Sequence, residues 1–265
     1  MSLALLKKDL KQNYTLFLIF LSVLVMYMLM MIPMFNPDDI NELLIILNMM
    51  PIEMLRAMGF SDIITDLTSF LASWLYGMLM FGFPMVYCII LGNRLVSKMI
   101  DNNSFAYLLS TPNSRVKLIV TQGFFALFSL LLLFVLVFSS GLLFSHLIHP
   151  GLLDVSAFLK LNIMTMLLNM VIIMICFTSS CIFNESRRSS GVGSGIAVTF
   201  LLMNMLGSSS LDLEILKKMS LYGLYNPVDL VRGSNVTGIG LFFLGLIILL
   251  FTISVLIFNK KRLPI

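Results

Sequence analysis

The chain has 265 residues, of which 59% are hydrophobic and only 11% charged, with a mean hydropathy of +1.01 and a formal net charge of +4. A soluble globular chain carries about 25% charged residues, so this one cannot cover a water-facing surface. Disorder, a secreted disulfide scaffold and most soluble enzymes are excluded, and an integral membrane protein is left.

The first 13 residues form a distinct pattern. Leu3, Leu6 and Leu10 recur at helical spacing, while Lys7, Lys8 and Lys11 gather on the other side. This predicts an amphipathic helix in the membrane interface, lysines toward lipid phosphates. Six apolar runs follow at Tyr14–Phe35, Ser69–Gly92, Leu118–His146, Lys160–Phe183, Gly191–Ser210 and Gly238–Phe258. Each approaches or exceeds the roughly 20 helical residues that cross a bilayer. A β-barrel would alternate apolar and polar positions, whereas Leu130–Phe138 and Leu241–Phe251 are apolar almost throughout, so the spans are helices. The first run is long enough to span and no small-residue cleavage site follows its core, so no cleaved signal peptide is expected. The expectation is an all-α membrane protein forming one transmembrane domain, 1–265, without internal repeats.

Between the spans, Asn36–Thr68 is long and acidic. Pro37 with Asp38 and Asp39 in a first turn predicts a short surface helix there, and Ile52 to Met58, ended by Gly59, a second. Asn93–Lys117 is the longest basic loop. Leu211–Thr237 is expected to hold a helix at Asp212–Met219 and another begun by Asn226 and Pro227. Cys88, Cys176 and Cys181 all lie inside apolar runs and read as small buried hydrophobes.

The charges set an orientation. With both termini cytoplasmic, the inner segments carry 12 basic residues against three acids (Asp9, Asp101, Glu185), and the outer ones five against ten. The balance is +9 inside and −5 outside, as the positive-inside rule requires. The net positive charge therefore needs no nucleic-acid partner.

Catalytic chemistry is missing. There is no His-Glu-x-x-His, no Gly-x-Ser-x-Gly and no phosphate-binding Gly-x-x-x-x-Gly-Lys-Ser/Thr loop. The chain is not expected to be an enzyme or to bind nucleotide itself. His146, His149 and Asp154 are spaced for a metal, but the adjoining Pro150-Gly151 turn predicts a structural role and no metal. At hydrocarbon depth the six runs contain no Asp, Glu, Lys or Arg, so a proton- or sodium-coupled carrier lacks its usual coupling group. His146 and Lys160 fall at outer ends, where snorkelling accounts for them. Among the uncharged polar residues of the spans, Gln122, Asn162, Asn169 and Asn204 are candidates for lining a pathway. The same residue types also hold helices together, which is their commoner use. Gly191, Ser194 and Gly195 make a small-residue face suited to close helix approach, expected within the bundle rather than at a subunit seam.

One stretch carries a family likeness. Ile100-Asp101-Asn102-Asn103-Ser104-Phe105-Ala106-Tyr107-Leu108-Leu109-Ser110-Thr111-Pro112-Asn113-Ser114-Arg115 resembles the loop after the second span of type-2 ABC export permeases. There an acid and a small polar pair precede Leu-Leu-Ser-Thr-Pro and a closing Arg. The usual Gly-Thr is Asn103-Ser104 here. Tyr225-Asn226-Pro227 looks like the proline-started segment before the family's last span. The tail Phe258-Asn259-Lys260-Lys261-Arg262-Leu263 looks like its closing basic motif, without the customary Asp.

The resemblance implies a permease subunit of the cell membrane, paired with a second permease copy or paralogue and with cytoplasmic ABC ATPases that bind ATP and Mg. It implies that the 93–117 loop holds the ATPase-coupling helix, with Asp101, Ser104, Phe105, Tyr107, Leu108, Leu109, Ser110, Pro112 and Arg115 as its residues. A pathway without fixed charge suits amphipathic peptides or lipophilic compounds as exported cargo. The alternatives are a carrier or channel acting without ATP, and a membrane immunity scaffold.

Overall fold

A computed structural model describes residues 3–36, 49, 51, 66–101, 114–209 and 213–261. In chain order the helices are α1 (Leu3–Met34), α2 (Leu67–Asp101), α3 (Arg115–Ile148), α4 (Val155–Ile182), α5 (Ser186–Ser209), α6 (Glu214–Met219), α7 (Pro227–Val231) and α8 (Thr237–Lys260). Six of them, all but α6 and α7, are long and apolar enough to cross a membrane. The chain is an all-α, multi-pass membrane protein. The surface helices expected between Pro37 and Gly59 lie outside the described residues.

Residues 3–13 do not form an element of their own. They are continuous with the first span in a single 32-residue helix. At 1.5 Å per residue α1 is about 48 Å long, against a hydrocarbon core of about 30 Å, so its first turns project past the core. No glycine occurs in it, and its only proline is Pro33 near the far end. Nothing in the sequence breaks the helix at residue 13. Its inward stripe runs Leu5, Asp9, Asn13, Leu16, Phe20, Leu24, Met28 and Ile32, all buried, in steps of three and four. The inward face is thus set one residue away from the expected Leu6–Leu10 stripe, and Leu10 is exposed.

The bundle is built around α4. Of its apolar window 83% is buried, against 17% in α5 and 22% in α8. It packs on α2, α3, α5 and α8. Two features let its neighbours come close. A Cβ on Gly92 of α2 would lie 2.8 Å from Cys176 Cβ, and one on Gly193 of α5 would lie 3.2 Å from Cys176 Cα. Cys176 is therefore wedged between two glycines, and all three cysteines are buried and free.

Polar side chains of α4 then tie the helices at depth. Asn162 accepts from Tyr76 Oη of α2 at 3.2 Å and donates to the Phe134 carbonyl of α3 at 3.2 Å. Thr178 meets Ser254 of α8 at 2.9 Å. Ser180 donates to Gly92 O of α2 at 2.8 Å. Asn169 has a more specific task. The second span contains Pro84 and, before it, a π-helical stretch Ala72–Leu79. Proline has no amide hydrogen for the Met80 carbonyl one turn back. Asn169 Nδ2 supplies a donor to that oxygen from α4 at 3.3 Å, and also donates to Thr165 O at 2.9 Å. Tyr87 and Ser129 join α2 to α3.

The segment between α5 and α8 holds helices close to where the sequence places them. Asn226 caps α7, accepting from Val228 N at 3.2 Å, with Pro227 in its first turn. The turn joining α6 to α7 is inserted into the bundle. Ser220 donates to Phe200 O of α5 at 2.5 Å, Tyr225 Oη meets Thr165 Oγ1 of α4 at 3.2 Å, and Tyr222 packs on Phe81 with ring centroids 5.2 Å apart. Thr165 lies about 15 Å along α4 from its start, by helical rise. Non-helical backbone at such depth is tolerated where protein surrounds it, and Tyr222 and Tyr225 are buried.

If Asn169 replaces the donor that Pro84 lacks, the two positions are coupled. Asn169→Ala should cost about 1 kcal/mol in stability. Pro84→Ala returns an amide at that position, so the double variant should lose less than the two single losses combined. Unfolding titrations in mixed micelles read the coupling, and strict additivity would remove Asn169 from this role.

Candidate functional site

Six helix ends converge at one end of the bundle: the start of α1, the end of α2, the start of α3, the α4–α5 turn and the end of α8. Hydrogen bonds stitch them together. Arg115 Nη1 donates to Lys261 O at 2.8 Å, and Lys261 Nζ donates to Phe183 O, the C-cap of α4, at 2.7 Å. Asn93 Nδ2 of α2 donates to Ser186 Oγ of α5 at 2.8 Å. Ser180 of α4 also meets Ser189 of α5 at 3.0 Å. Burial pushes the Lys261 ammonium down to about 8. Arg188 pairs with Glu185 at 2.9 Å, but both are well exposed, so the pair contributes little.

This end carries the basic loop picked out in the sequence. Ser104, Phe105, Tyr107, Leu108, Leu109, Ser110 and Pro112 lie outside the described residues. Its two roots are described. Asp101 is the exposed last residue of α2. Arg115 opens α3 behind Ser114, which caps the helix by accepting from Lys117 N at 3.2 Å. Arg115 thus fastens one root of the loop to the C-terminal end of α8.

The four polar candidates are placed apart. Asn162 and Asn169 are buried within the single chain and serve as the helix ties described above, their commoner use. Asn204 is half-buried on α5. Gln122 is fully buried at the basic end, against a residue that the sequence reading left in the inner solvent-side segment: Asp9, which is 1% exposed. Gln122 Nε2 approaches Asp9 Oδ1 at 3.4 Å and Met99 Sδ at 3.7 Å, and Asn13 Nδ2 donates to Asp9 O at 3.0 Å. Three acceptor oxygens here, Asp9 Oδ2, Asn13 Oδ1 and Gln122 Oε1, are buried with no hydrogen-bond partner. Extending the 3–4 stripe of α1 backward from Leu16 through Asn13 and Asp9 would have found this cluster. Lys7, Lys8 and Lys11 beside it give the sequence a stronger polar signal on the opposite face.

At the other end, Asp154 caps α4 by accepting from Ser156 N at 2.8 Å and Ala157 N at 3.1 Å, and these bonds hold its carboxyl below the usual range. His146 is exposed and His149 packs edge-on against Phe35, ring centroids 6.0 Å apart. Among the described residues no group of three or more His, Cys, Asp or Glu gathers around a point.

Fold and helix ends together define a six-span helical membrane protein whose termini and main basic loop share one end. No protein-family model, curated protein or solved structure matches the chain.

A buried carboxylate that forms no salt bridge among the described residues and feels Lys8 only at a distance is costly to hold charged, and removing one partner of a polar cluster costs more than neutralising it. Asp9→Asn should therefore leave thermal stability in detergent unchanged or raise it, while Gln122→Leu should lower it by about 1 kcal/mol or more. A clear loss on Asp9→Asn would mean that the carboxylate charge is itself in use.

Proposed function

We propose that this chain is the membrane-spanning permease subunit of an ATP-driven ABC exporter, set in the cell membrane with both termini cytoplasmic. ATP and Mg are bound by a separate ATPase, which docks on the 93–117 loop. The observation that carries the reading is the root of that loop. The stretch resembling the export-permease motif ends at Arg115, and Arg115 is tied to the end of α8, which Lys261 ties in turn to the end of α4. A push on the loop is thereby delivered to the central helix. The basic excess of this end supports a cytoplasmic position.

A second permease copy fits the same reading. The polar residues of α4 are used in ties inside the chain, so the cargo path lies between copies. The small-residue face of α5 supports this arrangement against packing within the bundle: a Cβ on Gly191 or Gly195 would meet nothing within 4 Å. Amphipathic peptides or lipophilic compounds suit such a seam, which offers them apolar surface.

Asp9 favours a second reading, a gradient-driven carrier, because a buried acid with one unpaired oxygen is a place for a proton or cation to bind. The two separate in proteoliposomes holding the permease with its ATPase. On the exporter reading, transport of an amphipathic peptide needs ATP, survives ionophores that collapse proton and sodium gradients, and persists in Asp9→Asn. Gradient-driven transport by the permease alone would replace the first reading by the second.

The seam has its own test. Gly191→Leu with Gly195→Leu should leave the monomer folded yet weaken pairing by about tenfold, read by cross-linking yield against dilution. Gly193→Leu, facing Cys176, should instead reduce the amount of folded protein. Unchanged pairing in the double variant would remove this face from the seam.

A further inference from the structure

A cavity of about 500 Å³ opens between α4 and α8 at the end of the bundle away from the termini. Small-ligand sites generally span about 300–1,000 Å³. Its lining is sorted by height. Lys160 precedes Ile163 and Leu167 along α4 by about one and two turns, and Thr237 precedes Leu241 and Leu244 along α8 in the same way. A loop made of Gly233, Ser234 and Asn235 closes the polar end. Gly233 turns that loop with φ +94. Asn235 Oδ1 is occupied by Thr237 N at 3.1 Å and Thr237 Oγ1 at 2.7 Å. What that side chain has left to offer is its amide hydrogens.

Among the described residues that line the cleft, Lys160 is the one charged side chain and none is a carboxylate. The ion pairs among the described residues, Arg188–Glu185 and Lys218–Glu214, do not include Lys160, whose charge reaches Asp154 without forming a salt bridge. The apolar end opens sideways, with Leu241 65%, Leu244 44% and Ile163 40% exposed. On a membrane protein such side chains face acyl chains. Gly240 keeps the floor of the cleft low, since a Cβ there would already touch Met164 Sδ at 3.5 Å.

We propose that this cleft is a binding site for one anionic phospholipid, its phosphate held by Lys160 and the 234–235 loop and an acyl chain lying along Ile163, Leu241 and Leu244. A head of negative charge above an apolar tail is the one ligand form that matches both ends at once. The site does not depend on the energy source proposed above.

The test is native mass spectrometry of the detergent-purified chain with equimolar phosphatidylglycerol and phosphatidylcholine. The wild type should retain one phosphatidylglycerol more than Lys160→Gln does, with occupancy falling about fivefold on loss of that charge. Lys160→Arg should keep the lipid. Leu244→Trp, which fills the tail channel from an exposed position, should lose it at unchanged thermal midpoint. Millimolar inorganic phosphate should not displace it. Retention unchanged in Lys160→Gln or in Leu244→Trp, equal retention of both lipids, or displacement by free phosphate would each overturn the proposal.

Discussion

Inside a bilayer a backbone carbonyl that its own helix leaves unsatisfied has no water to turn to, and much of this bundle is arranged around that constraint. Pro84 takes a donor from α2, and Asn169 of α4 returns one. The turn between α6 and α7 brings irregular backbone to depth, and Ser220, Thr165 and Tyr225 surround it with hydroxyl groups. Asn162 adds a second donor to the Phe134 carbonyl in the middle of α3. The central helix can be rich in Asn, Ser and Thr because its neighbours consume what those residues offer. That is why α4 is the most buried span although it is not the most hydrophobic.

What was legible in the sequence follows from which signals are local. Six spans, their helical nature and the starts of α6 and α7 are written in runs of apolar residues and in Asn226-Pro227, and all are found close to where they were expected. The continuity of α1 was hidden because lysines on one face draw the eye to a boundary that no glycine or proline makes. The fate of Asp9 was hidden for a related reason. Its burial depends on Gln122, more than a hundred residues away, and no short-range pattern records that pairing. The roles of Asn162 and Asn169 were half legible: the residue types announced themselves, but their partners come from two other helices.

The basic end and the opposite end divide the work of the molecule. At the first, side-chain-to-carbonyl bonds join α3, α8 and α4 in series. At the second, the buried turn of Ser220, Tyr222 and Tyr225 lies between the ends of the helices, and a cleft opens between α4 and α8.

The wedging of Cys176 has a consequence of a different kind. A Cβ on Gly92 of α2 would lie 2.8 Å from its Cβ and one on Gly193 of α5 would lie 3.2 Å from its Cα, and the residue is 3% exposed. Any excursion that parts α4 from either neighbour by a few ångströms uncovers a nucleophile, and any state in which the three helices stay together keeps it silent. The rate at which a small alkylating reagent consumes this native thiol is thus a clock for helix separation, set into the protein without a label.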